Sequence, residues 1–177
     1  LFTVDILLVK HFFSPTIAGW YAALSLLGKI VYFAAQPVST VMFPIVIAKI
    51  SSGKKYFPVF WMSFALTAVI SLAILGVYFL FPKLSISLLF GSKYLSIQPE
   101  LIWMGLFMML YNLNYFLTSF FLATNKTKIV LLPVLAAFLQ IIFISVWHGS
   151  LHQVVLVSLV IMMGLFMSLF SILWKTR

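Results

Sequence analysis

Cysteine is absent from these 177 residues, which excludes structural disulfides and thiol chemistry without identifying a compartment. Charge is scarce: 7% of the residues carry one, against roughly 25% in soluble domains. Acids are scarcest of all, with Asp5 and Glu100 set against eleven Lys and Arg for a net charge of +9. In a soluble protein that imbalance points to nucleic acid. Here the basic residues are spread through short loops, so they read as determinants of membrane orientation, and no nucleic-acid partner is expected. A Gly-rich phosphate loop, a nucleophile elbow and a zinc helix motif are all missing, so neither an enzyme nor a cofactor is expected.

What the chain has in excess is apolar surface: 64% of its residues are hydrophobic and its mean hydropathy is +1.22. The sequence predicts an all-α, polytopic membrane helix bundle. A spanning helix needs about 20 mostly apolar residues. Residues 17–48, 57–81, 99–123, 128–147 and 151–174 qualify, and residues 1–13 read as the remnant of a sixth span. The chain starts at Leu1, inside an apolar stretch and with no visible signal peptide, and is read as a fragment whose first helix is cut. Residues 1–177 form one transmembrane bundle in this reading. At 1.5 Å per residue the helix over 17–48 is about 48 Å long, so it must tilt, bend or protrude, with Pro37 and Pro44 as bend points.

Ser14-Pro15, Ser51-Ser52-Gly53, Asn125 and Gly149-Ser150 supply the turns. Residues 82–98 are expected to hold a short interfacial helix stopped by Gly91. Alternate loops lie on alternate sides. Lys49, Lys54, Lys55, Lys126, Lys128, Lys175 and Arg177 fall on one side, and Lys10, Lys83 and Lys93 on the other. The richer side is assigned to the cytoplasm, together with the C-terminus. The Asn125-Lys126-Thr127 sequon then falls on the cytoplasmic side and is discarded.

Lys29 lies inside the apolar stretch 18–48, with Ser25, Tyr32, Gln36 and Ser39 at helical spacing. A charge in a bilayer costs at least about 3 kcal/mol, which makes such a residue a functional-site candidate by default. The polar stripe around it points to a wet cavity. Asp5, on the antiparallel neighbour, falls within about one turn of the same depth. Pairing would lessen the burial cost of both groups. Two readings stay open: a structural ion pair, and a cavity cation for an anionic ligand with Asp5 tuning or releasing it. Lys10 lies nearer the edge, where it either snorkels or joins the cavity.

Tyr111, Asn114, Tyr115 and Thr118 form a second polar face, suited equally to sugar hydroxyls and to interhelical hydrogen bonds. Gln140 reads as structural glue and Glu100 as a complement to a helix dipole. His148 and His152, at i and i+4, have metal-ligand spacing, but Gly149-Ser150 favours a turn between them and no metal is expected.

The run Asp5-Ile-Leu-Leu-Val-Lys10-His11-Phe-Phe-Ser14-Pro15, followed by Ala18-Gly19-Trp-Tyr21-Ala-Ala-Leu-Ser25-Leu-Leu-Gly28-Lys29-Ile30, resembles the start of the C-terminal half of Wzx-type polysaccharide (O-antigen) flippases. These belong to the multidrug/oligosaccharidyl-lipid/polysaccharide exporter superfamily. Pro37-Val-Ser-Thr-Val-Met-Phe43-Pro44 and Leu88-Leu-Phe90-Gly91-Ser-Lys93-Tyr94 extend the resemblance. It implies the second of two MATE-like six-helix bundles facing each other across a cavity. It also implies an N-terminal partner bundle of the same protein, a bacterial inner-membrane location, and a polyprenyl-pyrophosphate-linked oligosaccharide as cargo, moved between the leaflets by alternating access. On that resemblance Lys29 and Lys10 face the pyrophosphate, and Asp5 is a counter-charge or the site of a coupling cation. Ser25, Tyr32, Gln36, Asn114 and Tyr115 complete the expected cavity lining. Two alternatives are weighed against this: a cation-coupled drug exporter of the same superfamily, whose cationic cargo calls for cavity acids, and a non-transport membrane assembly subunit, which has no use for Lys29.

Overall fold

The computed structural model describes residues 4–175, and no strand occurs among them. Seven α-helices follow one another: α1 (Val4–Phe12), α2 (Pro15–Ser51), α3 (Phe57–Leu80), α4 (Pro82–Phe90), α5 (Gln98–Ala123), α6 (Leu131–Val146) and α7 (Leu151–Lys175). Two 3-10 turns, Ser92–Ile97 and Thr127–Val130, lead into α5 and α6. Five helical stretches are long and apolar enough to cross a membrane. The chain is therefore an all-α, multi-pass membrane bundle. The expected start of the first helix at residues 1–3, and Arg177 of the orientation argument, lie outside the described residues.

Local chemistry fixes the ends of the elements. Pro15 opens α2 at a position where its missing N–H costs nothing. Pro37 and Pro44 lie inside α2, and the helix runs unbroken through both over 37 residues, about 56 Å. In a membrane helix, neighbouring groups take up the carbonyls that proline leaves free. At the far end Gly53 adopts φ +66, its N–H bonds Ile50 O, and Lys54 N–H bonds Lys49 O at 2.8 Å. That is a Schellman closure. α5 ends the same way, with Asn125 at φ 62 in the glycine role and Lys126 N–H on Phe121 O at 2.9 Å. Gly91, at φ +84, stops α4 as expected.

α5 is the central helix. In its apolar window 56% of residues are buried, against 22–28% in the other spans, and α2, α3 and α7 all pack on it. The α2–α5 contact is close enough that a Cβ on Gly28 would lie 2.8 Å from Cγ of both Met104 and Met108. On the third side, Phe60 meets Phe120 with ring centroids 4.3 Å apart, and Tyr78 donates to Leu27 O at 2.6 Å. Thr67 and Ser71, buried on α3, return their hydroxyls to Ser63 O and Thr67 O of their own helix. α1 covers α2, α6 and α7. Large apolar side chains such as Met62, Phe79, Phe138 and Met167 remain outward, a surface matched to lipid rather than to water.

Candidate functional site

Asp5 is fully buried on α1, two turns below the helix end. Its Oδ2 accepts a hydrogen bond of 2.7 Å from the hydroxyl of Tyr21 on α2, while Oδ1 has no hydrogen-bond partner. Tyr21, Ser25 and Lys29 follow at successive helical turns, so one face of α2 is presented to α1. Ser25 is also fully buried, and its hydroxyl has no hydrogen-bond partner. The half-buried Lys29 ammonium is close enough to act electrostatically on the Asp5 carboxylate. The carboxylate therefore has a neutral donor as its hydrogen-bonding partner and a cation nearby.

Farther along α2 the same stripe changes neighbour. Tyr32 meets Tyr111 and Tyr115 of α5 edge-on, with ring centroids 5.4 and 5.9 Å away. The two predicted polar faces thus join at a cluster of three phenols. Behind them Tyr111, Asn114, Tyr115 and Thr118 line a small cavity of about 90 Å³ closed by Pro133 and Met162. Asn114 is bound to the scaffold: its Nδ2 donates to Met162 O of α7 at 2.9 Å, which leaves Oδ1 unpartnered. Gln36 is drawn away from the cluster, donating to Thr40 at 2.9 Å on an exposed face. Ser39 is buried with an unpartnered hydroxyl. Lys10 is exposed and lines a groove of about 370 Å³ between α1 and α2.

No family model, curated protein or solved structure matches this chain.

The other singled-out residues divide by partner. Gln140 donates to Ser158 at 2.9 Å and so ties α6 to α7 as structural glue. His148 and His152 go to different helices: His148 stacks on Phe12 of α1 with centroids 4.0 Å apart, and His152 Nδ1 lies 2.7 Å from Glu100 Oε2 on α5. Glu100 sits in the first turn of α5, where it also complements the dipole. Tyr21 is not among the expected cavity residues, and Asn112 is expected only beside the second polar face. Tyr21 shares the helical register of Ser25 and Lys29, which was the available signal. Asn112 is fully buried with both amide atoms unpartnered, and its signal was an amide in the centre of an apolar helix.

Proposed function

We propose that this chain is one lobe of a bacterial inner-membrane flippase that moves a polyprenyl-pyrophosphate-linked oligosaccharide by alternating access. A second bundle of the same protein closes the cavity, and the C-terminus is cytoplasmic. The observation that carries the reading is Lys29, a half-buried ammonium midway along the longest helix, above the three-tyrosine cluster and below Ser25. A diphosphate needs a cation that is partly desolvated, where the attraction is strong. Phenols and amides suit the hydroxyls of the attached sugar. The resemblance of residues 5–30 to the flippase family supports the same cargo.

Asp5 fits a coupling role, because it is a fully buried carboxyl whose Oδ1 has no side-chain donor among the described residues and so can take a proton or a cation. That same oxygen is the observation favouring the runner-up, a cation-coupled drug exporter. Lys29→Ala in the full-length protein separates the two. Loss of glycan-lipid export at unchanged expression is expected. Normal export sinks the assignment, and cationic-drug efflux lost in Asp5→Asn but kept in Lys29→Ala establishes the runner-up.

A further inference from the structure

At the end of the bundle away from Lys54 and Lys126, three turns of the chain converge on a cavity of about 370 Å³: the α1–α2 turn, the 3-10 turn before α5, and the α6–α7 turn. None of the transport residues named above lines it. Phe13 and Trp20, both partly buried, form an apolar wall. Opposite in character are Glu100 and His152, an acid and an imidazole joined at 2.7 Å across α5 and α7, with the hydroxyl residues Ser96 and Ser150 beside them.

We propose that this cavity is a saccharide subsite that holds one pyranose ring. The inference rests on the reading of the chain as a glycan-lipid transporter for the choice of cargo, but its test measures binding rather than transport. A pyranose has an apolar C–H face and a rim of hydroxyls that both donate and accept. The aromatic side chains of Phe13 and Trp20 suit the first. A carboxylate, an imidazole and two serine hydroxyls serve the second. Glu100 has one oxygen engaged by His152, and its carboxylate has further lone pairs with which to accept from a sugar hydroxyl while the imidazole holds it in place.

Charge excludes the obvious competitors. No lysine or arginine lines the cavity, and its carboxylate, Glu100, would repel a phosphate. A metal ion would find a single carboxylate, and no group of three or more metal-ligating side chains exists among the described residues. The volume lies within the range of small-molecule sites, about 300–1,000 Å³. Trp20 sits near the membrane boundary, where tryptophan ordinarily anchors to headgroups. Here it shares a cavity with the Glu100–His152 hydrogen bond.

The test uses the purified full-length protein in lipid nanodiscs and saturation-transfer NMR. The probes are free glucose, galactose, mannose, rhamnose, fucose and N-acetylglucosamine at millimolar concentration. Ring-proton signals from at least one sugar are expected. Affinity should fall about tenfold in Glu100→Gln, the scale of one lost charge-assisted hydrogen bond, fall to a similar extent in Trp20→Ala through lost apolar contact, and hold in Trp20→Phe. Ser150→Phe, on an exposed turn outside every span, fills the cavity and keeps the question answerable if Trp20→Ala does not fold. Absence of signal from all the sugars overturns the proposal. So does equal binding by the wild type, Glu100→Gln and Ser150→Phe, or binding of glycerophosphoethanolamine in place of any sugar. Sugar binding that persists while deletion of the full-length protein leaves glycan-lipid export intact removes the transport reading and leaves the subsite standing.

Discussion

Replacing Gly28 by alanine perturbs the seam on which both polar faces depend. The added Cβ lies 2.8 Å from Met104 Cγ, 2.8 Å from Met108 Cγ and 3.3 Å from Met104 Sδ. Carbon atoms rest about 3.5–4.0 Å apart, so two methionines must each retreat by roughly an ångström at carbons close to the α5 backbone. Overpacking of this kind costs about 1–3 kcal/mol. Alanine returns up to about 1 kcal/mol of helix propensity, so the net change is a loss of roughly 0–2 kcal/mol. Gly164 on α7 supplies the reference, because a Cβ there meets nothing within 4 Å and carries the propensity gain alone. Gly105 falls between, with the nearest atom, Tyr78 Cδ2, at 3.4 Å.

Equilibrium unfolding in detergent should rank Gly164→Ala above Gly105→Ala above Gly28→Ala. The gap between first and last should be about 1–3 kcal/mol. Met108→Ala should cost less in the Gly28→Ala background than in the wild type, because it empties space the new methyl needs, so the two changes should be non-additive. Equal stability of Gly28→Ala and Gly164→Ala would refute the close α2–α5 packing, and with it the route by which α5 sets the position of Tyr32 and Lys29.

Tyr21→Phe removes the donor on Asp5 Oδ2 and strands a second buried carboxylate oxygen. It should cost about 1–3 kcal/mol in chemical unfolding and be nearly neutral in an Asp5→Leu background. Asn114→Leu breaks the α5–α7 tie to Met162 O, and its cost should stay near 0.6 kcal/mol and below about 1.7, as for other hydrogen bonds between membrane helices. Because the chain has no cysteine, single cysteines at Lys54 and Ser150 report topology directly. In intact cells an impermeant thiol reagent should label position 150 and spare position 54, and the reverse pattern would invert the assigned orientation.

The spans were legible because about twenty apolar residues in a row leave the chain one option. The predicted helix over 57–81 compares with an observed Phe57–Leu80, and that over 99–123 with Gln98–Ala123. The helix over 128–147 was drawn too long at its start, where Thr127–Val130 winds as a 3-10 turn whose Ile129 and Val130 run straight into the apolar helix that follows. Stops written in local chemistry, Gly53, Gly91 and Asn125, were readable for the same reason. Partners across helices were not, because hydropathy does not report which way a lipid-soluble helix is rotated. Asp5 was matched by depth to Lys29. The hydrogen bond goes to Tyr21, whose phenol looks like packing in an apolar run. The single stripe from Ser25 to Ser39 divides because α1 covers one stretch of α2 and α5 meets the rest. Gln36 satisfies itself locally with Thr40, something spacing alone does not foretell.

The paired Schellman closures of α2 and α5 bear on how the bundle sits in lipid. A helix end ordinarily leaves bare carbonyls that must stay in contact with water or headgroups, which pins its height. These two helices run in the same direction and bring amides of their own chain to those carbonyls, at Lys54 and Lys126. Each carries part of its polar cover along with it, followed at once by a lysine whose long side chain reaches back to the interface. The pair can rise or sink together by a few ångströms without exposing either end. On the proposed transport reading, such freedom would let this lobe rock against a partner while its central seam stays closed.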